Sequence, residues 1–223
     1  MKLKSTVCSM IGPKRRNEDA VLTKVYEDSG KSLFVVCDGM SGLHMGDVAS
    51  HTVIDTFTSV WNTHHKDWNT EKMLHEAMRM GKTAIDGLSK YDVGTTMVMA
   101  ASEDDALTIA HLGDSRAYYV RHGEGVLYQT EDHITIGQEG WPYVSKGFFN
   151  FRDVDEPTTR MFQPKSGDRI LLCSDGVYDC YRKTALTDIL MEDTELTTMM
   201  TNIIEYCDQY AHDNYSAIII EIE

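Results

Sequence analysis

Short apolar or alternating runs recur at 3–9, 20–27, 32–37, 94–101, 105–112, 116–121, 125–130 and 168–173. They are rich in Val, Ile, Leu, Thr and Tyr and are separated by turn residues, which predicts strands. Many are joined by two to five residues. That is too short for the crossover a parallel pair needs, so antiparallel neighbours are expected. The period changes from Gly46 to Asn62, where Val48, Ala49, Thr52, Val53, Thr56, Phe57 and Val60 recur at three and four residues, and again from Thr70 to about Leu88. This spacing predicts a helix pair inserted between strands. A second helical group is expected over roughly Gly176 to Met191 and Thr194 to Ala211, before a last strand at Tyr215 to Ile222. The pattern describes an α+β chain with helices packed on a largely antiparallel pair of sheets. Neither period is sustained from Glu131 to near Gly167, a stretch that holds Gly137, Gly140, Trp141, Pro142 and Gly147. An irregular surface excursion is expected there, and long ordered loops are often functional.

Candidate chemistry sits where the apolar runs end. NEDAVL, LFVVCDGM, LTIAHLGDSR, ILLCSDG and DNYSAIIIEI place Asp19, Asp38, Asp114, Asp175 and Asp213 at the polar ends of hydrophobic runs. If these ends meet at one edge of a β-structure, the carboxylates repel one another unless a cation neutralises them. Oxygen-only ligation favours magnesium, manganese or calcium over zinc or copper. Asp38-Gly39 and Asp175-Gly176 are also common hairpin-turn pairs. A hairpin should be followed by another alternating strand, whereas GMSGLHMG and GVYDCYRKTALTDILM both lead into helical patterns. A strand ending in Asp, then Gly, then a helix suits a metal ligand whose neighbouring carbonyl can approach an ion. Gly113-Asp114-Ser115-Arg116 reads equally as a tight turn or as a ligand position. Asn214-Tyr215-Ser216 matches a glycosylation sequon, a chance match in a chain without a secretory signal.

Lys14, Arg15 and Arg16 precede Asn17, Glu18 and Asp19. Such a basic run is ordinarily a solvated patch, but beside a metal centre it could hold a phosphate dianion. Of the histidines, His111 lies inside an apolar strand and reads as a hydrogen-bonded core residue, and His133 in TEDH as a turn contact. His44 follows Asp38 closely enough to reach a reaction centre.

The 223 residues contain no linker, composition break or repeat, so one domain is expected. A formal net charge of −14 argues against nucleic acid or anionic lipid as partner. No apolar stretch approaches the ~20 residues that span a bilayer, and MKLKSTVCSMIG lacks a signal-peptide core, so a cytoplasmic protein is expected. Cys8, Cys37, Cys173, Cys180 and Cys207 form no CxxC pair and read as reduced structural thiols.

The order of KRRNEDA, VVCDGMSG, GTT at Gly94 to Thr96, GDSRAYYV, TEDH, GDRILLCSDGVYD and DNYSAIII resembles the metal-dependent serine/threonine protein phosphatases of the PPM family, also called protein phosphatase type 2C, in a bacterial style. The motifs span about residues 7 to 133 and 165 to 222. The resemblance implies a two-sheet antiparallel β-sandwich with helices on both outer faces and two manganese or magnesium ions at one end. It implies that Asp38 bridges both ions, that the Gly39 carbonyl binds one, and that Asp175 and Asp213 bind the other. Glu18 and Asp19 match positions that contribute directly or through water, and Asp114, with Asp175, matches a third and weaker ion. Substrates would be phosphorylated proteins, with a cognate Ser/Thr kinase as partner and a monomer expected.

Three positions depart from the family pattern. Lys14 stands where relatives commonly carry a phosphate-binding Arg; it keeps the charge but loses the bidentate fork, leaving Arg15 or Arg16 as alternatives. Met40 replaces the His proposed in many eukaryotic members as general acid, which leaves solvent held at the ions, or His44, to protonate the leaving group. The segment of about 134–166, where the family places a flap, follows its own pattern. The implied reaction is hydrolysis of phosphoserine and phosphothreonine by a water activated between two ions. The alternative is a noncatalytic relative that binds a phosphoprotein or kinase. A calcium-binding structural domain is disfavoured because the ligands are dispersed and form no compact EF-hand loop.

Overall fold

A computed structural model describes residues 1–40, 43–181 and 185–223. Three strands open the chain: β1 (Leu3–Met10), β2 (Asp19–Tyr26) and β3 (Lys31–Asp38). Helices α1 (Gly46–His64) and α2 (Thr70–Asp86) follow and pack on each other. Then come β4 (Gly94–Thr95), β5 (Met97–Glu103), β6 (Ala106–Leu112), β7 (Arg116–Arg121) and β8 (Gly125–Gln129). The next stretch holds β9 (Ile134–Ile136), β10 (Pro142–Val144), β11 (Phe148–Phe149) and β12 (Thr158–Phe162). The chain closes with β13 (Arg169–Cys173), α3 (Asp175–Tyr178), α4 (Ala185–Leu190), α5 (Leu196–Tyr210) and β14 (Tyr215–Ile222).

Two five-stranded sheets, ordered β1-β14-β13-β7-β8 and β12-β6-β5-β3-β2, form the sandwich, and every pairing in them is antiparallel. Side-chain alternation explains the layering. In β3, Phe34 and Val36 enter the cluster between the sheets with Ile170, Leu172, Ile218 and Ile220. Leu33, Val35 and Cys37 point the other way, into the cluster under α1 and α2 with Val53, Phe57, Trp61 and Met73. On the opposite sheet Leu171, Cys173, Ala217 and Ile219 meet Met199, Ile203 and Cys207 of α5. Both faces of the central strands are thus dry, which explains their unbroken apolar runs. Each fully buried aliphatic side chain contributes roughly 1.5–3 kcal/mol, so the layers α, β, β and α hold together through three apolar interfaces.

Helix α2 buries Met73, Leu74, Ala77, Met78 and Ile85 at helical spacing. The Asn69 side chain caps it by accepting the Lys72 N–H. No helix among the described residues is long and apolar enough to cross a membrane.

Four local expectations change. The run 94–101 is split: Thr96 leaves the ladder between β4 and β5. The expected helix from Gly176 to Met191 is two short helices, α3 and α4, with 182–184 outside the described residues. The stretch expected to be irregular contains a ribbon of β9 and β10, and it supplies β12 as an edge strand against β6. These strands are short and exposed on at least one side, so the alternation that marks a half-buried strand is missing from their sequence. Finally, β2 starts at Asp19 itself, which places that carboxylate inside the ladder opposite Asp38.

Candidate metal centre

Five chain segments bring their carboxylates to the same end of the sandwich. Asp38 ends β3 and faces Asp19, the first residue of β2. From the other sheet, Asp175 opens α3 two residues after the end of β13, and Asp213 lies two residues before β14. Asp114 occupies the turn between β6 and β7.

Their mutual influence shows in their acidities. Burial, then the charges of Asp19, Asp175 and Asp114, hold the Asp38 carboxyl well above the usual carboxylate range. Asp175 is pushed up to about 7 by burial and then by Asp114 and Asp213. Burial also takes Asp19 to about 6, against the opposing hydrogen bonds of Ser174 and Ser216. Asp114 is raised as well, chiefly by burial. Like charges gathered in a poorly solvated place are the common cause.

Backbone and hydroxyl contacts fix the geometry. The Asp38 N–H donates to Thr96 Oγ1 at 3.0 Å, while the Asp38 carbonyl accepts from Thr96 N–H at 2.9 Å and from Thr95 Oγ1 at 2.8 Å. Gly39 N–H donates to the Glu18 carbonyl at 3.0 Å. A Cβ on Gly39 would lie 2.2 Å from the Gly46 carbonyl oxygen, so only glycine fits where the α1 N-terminus crosses this turn. Ser174 Oγ donates to Asp19 Oδ2 at 2.7 Å and itself accepts from Ser216 N–H, tying Asp19 to the opposite sheet. Asn214 ties the segments again: its Oδ1 accepts the Glu18 N–H at 2.9 Å, and its Nδ2 donates to the Ile11 and Arg16 carbonyls. Asp114 is braced by the Tyr178 hydroxyl, which donates to its carbonyl at 3.0 Å. Tyr178 ends α3, the helix that begins with Asp175, so the two carboxylates are held by one short element.

These residues fit hard divalent cations. Every donor is oxygen, and Asp19 Oδ1 is buried without a hydrogen-bond partner among the described residues. Among the same residues no group of three or more His, Cys, Asp or Glu side chains forms a protein-only metal cage. Magnesium-like ions do not require one, because they are bound through one or two carboxylates and keep several waters.

Of the basic run, Lys14 alone reaches the carboxylates. Its Nζ donates to Asp213 Oδ2 at 2.7 Å, a contact that raises its own pKa. Arg15 is exposed and forms no ion pair among the described residues, and Arg16 points outward, 3.8 Å from Asp47. His44 is exposed, tilted on the Tyr91 ring with centroids 5.1 Å apart, and none of its hydrogen bonds reaches a carboxylate of the centre. Met40 approaches the flap-like segment at Gly147. His111 is a buried core residue as expected, and its Nε2 donates to the Glu131 carbonyl. His133 stacks on it, and burial followed by the His111 charge hold His133 down to about 4.

Sequence reasoning passed over Thr95, Thr96 and Ser174 as positioning groups. It also read Asn214 only as a chance sequon. The signal was present in the GTT, CSDG and DN strings, but the work of these side chains lies across strands.

A protein-family profile described as protein phosphatase 2C matches residues 9–214. The serine/threonine protein phosphatase PstP of Mycobacterium tuberculosis is 30% identical over 180 residues, covering 73% of this chain and 34% of that protein. The chain therefore spans about a third of that relative's length. Protein phosphatase PhpP of Streptococcus pneumoniae is 24% identical over 242 residues, covering 95% of this chain and 94% of that one. Among solved structures, the S. agalactiae serine/threonine phosphatase superposes with a TM-score of 0.86 at 20% identity over 100% of both chains. The PstP catalytic domain in complex with two manganese ions superposes at 0.80 with 26% identity, over 98% of this chain and 97% of that one.

Proposed function

Because the chain belongs to the protein phosphatase 2C family, we propose that it hydrolyses phosphoserine and phosphothreonine monoesters in proteins with the help of divalent cations. The observation that carries this reading is the convergence of Asp19, Asp38, Asp114 and Asp175, each with its carboxyl pushed upward by burial and like charge. Asp38, Asp175, Asp213 and the Gly39 carbonyl would hold two ions, with Asp19 and Glu18 reaching them directly or through water. Asp114 with Asp175 would hold a third, weaker one. When bound, manganese or magnesium supplies the charge that lowers the pKa of a water from ~15.7 toward neutrality and steadies the phosphoryl oxygens.

The protein's own groups then bind and orient. Lys14, already paired with Asp213, presents a point charge to the phosphate dianion at the edge of the centre. Thr95 and Thr96 keep the Asp38 backbone from shifting as charge develops. No thiol nucleophile is needed, and none is poised: burial raises Cys8 to about 11 and Cys37 well above its usual value. With His44 turned toward Tyr91, the leaving alkoxide takes its proton from solvent. Phosphoproteins as substrates, an opposing Ser/Thr kinase, a monomeric state and a cytoplasmic setting belong to the same proposal.

The test is turnover of phosphothreonine peptides with manganese, with and without chelator. Asp38→Asn and Asp175→Asn should each lower kcat/KM by about a thousandfold or more, the several kcal/mol a metal site contributes, while the far-UV CD spectrum is retained. Wild-type turnover in either variant would refute the assignment. A folded wild-type protein that binds phosphoprotein but never turns it over would favour the noncatalytic alternative.

A further inference from the structure

His133 is joined to the Asp114 turn at both backbone groups of Gly113. Its own N–H donates to the Gly113 carbonyl at 3.0 Å, and the Gly113 N–H donates to His133 Nδ1 at 3.2 Å. An N–H can only donate, so Nδ1 is the acceptor and Nε2 carries the proton. Nε2 then donates to Thr158 Oγ1 of β12 at 3.0 Å, and the His133 carbonyl accepts the Ser145 N–H at 2.7 Å. The ring lies 4.4 Å from that of His111 and nearly parallel to it, which fixes its plane. Gly113 has φ +99°, and a Cβ there would sit 2.6 Å from the Thr96 side chain. The turn before Asp114 is therefore tight, left-handed and closed on one side by Thr96, with His133 closing its hydrogen-bonding side.

On the far side, Tyr178 holds the Asp114 carbonyl, and the Arg116 guanidinium lies 3.5 Å over the Tyr178 ring. Arg116 is gripped in turn by both oxygens of Asp132, at 2.8 and 2.6 Å, the residue before His133. Asp132 and His133 thus clamp the Asp114 turn from two directions, one through Arg116 and Tyr178 and one through Gly113. The same residue, His133, anchors β12 and the base of the β9 and β10 ribbon.

We infer that His133 is a positioning residue that sets the Asp114 turn in the geometry binding the third, weaker cation, and so links that position to segment 134–162. This rests on the proposed role of Asp114. Outer partners of metal ligands commonly govern affinity by 10- to 100-fold when replaced, so the effect should be visible in binding itself.

The experiment is equilibrium dialysis of manganese against the whole chain, read as ions bound per protein across a concentration series, with thermal melts to confirm folding. His133→Asn places an amide oxygen where Nδ1 stands and keeps the acceptor for Gly113. His133→Gln carries its polar atoms one bond further out, toward Thr158, and His133→Phe keeps only the stacking ring. Wild type and His133→Asn should bind the weak ion at similar concentrations. His133→Gln and His133→Phe should need at least about 10-fold more manganese for it, with the two tight ions unchanged. Wild-type weak binding in His133→Gln and His133→Phe would overturn the inference, and so would equal weakening in all three variants, which would mark a purely structural role. Asp114→Ala separates the premise: if it loses no ion, the third-ion reading itself fails and takes the inference with it.

Discussion

Lys14 pairs with Asp213 at 2.7 Å, and under the proposed function it also binds the phosphate of the substrate. Lys14→Ala should raise KM for a phosphopeptide by about tenfold, in line with one charge-assisted hydrogen bond at a half-exposed site, and lower kcat by less. Steady-state kinetics with peptide substrates check this; unchanged constants would transfer the phosphate role to Arg15 or Arg16. At this scale the clustering of the candidate carboxylates was legible, because Asp38 and Asp175 each close an apolar run and are followed by Gly and a helical pattern where a hairpin would need another strand. Their supports were not. Thr96 meets Asp38 across 58 positions and Asn214 meets Glu18 across 196, and a hydroxyl or amide carries no local mark of a partner so far along the chain. Lys14 stood out as a phosphate candidate through the charge of the basic run, and the family motif singled it out from Arg15 and Arg16; its pairing with Asp213 is a product of the fold.

Elements with two dry faces or a regular amphipathic stripe were legible as such: β3, β13, β14, α1, α2 and α5 all fall close to their expected ranges. The short helices α3 and α4 were merged into one because helical spacing in GVYDCYRKTALTDILM continues across the break. Strand β12 was missed because Thr159, Arg160 and Met161 are exposed and only Phe162 packs toward the inter-sheet cluster. One glycine decides whether α3 can dock. Alanine at Gly176 would improve helix propensity by roughly 0.5–1 kcal/mol, but its Cβ would fall 1.9 Å from the Asn214 carbonyl oxygen, a backbone atom that cannot swing aside. Overpacking costs about 1–3 kcal/mol and wins. Gly176→Ala should lower Tm by up to about 10 °C and reduce activity together, since Asp175 is the adjacent residue. A melt equal to wild type would show that α3 is not seated on the segment before β14.

For the whole molecule, the α, β, β, α layering followed from periodicity and short connections, and the family motifs pointed to the end of the sandwich where the carboxylates gather. What neither could give is the energetic state of the cluster. Asp19 at about 6, Asp175 at about 7 and Asp38 higher than usual all lie above the ordinary aspartate value of about 3.9. Between that value and about 7 the folded protein keeps protons that the unfolded chain has released. Its metal-free stability is therefore greatest at the acid side of this window and is lost as pH rises through the folded values. A loss of about 2 kcal/mol would lower Tm by about 4–8 °C in a domain of this size. Cations bind the deprotonated ligands and only the folded form, so they should restore that stability most where it is lowest. The central claim, that distant carboxylates meet in one cluster whose repulsion a cation relieves, is tested most directly by thermal unfolding at pH 5 and pH 8, with chelator or manganese, for wild type and Asp38→Asn. The account predicts that chelated wild type melts lower at pH 8 than at pH 5, that manganese raises Tm mainly at pH 8, and that Asp38→Asn loses most of the manganese shift and part of the pH dependence, because burial still raises Asp19 and Asp175. A chelated wild type whose Tm is indifferent to pH, or a manganese shift that Asp38→Asn retains in full, would contradict it.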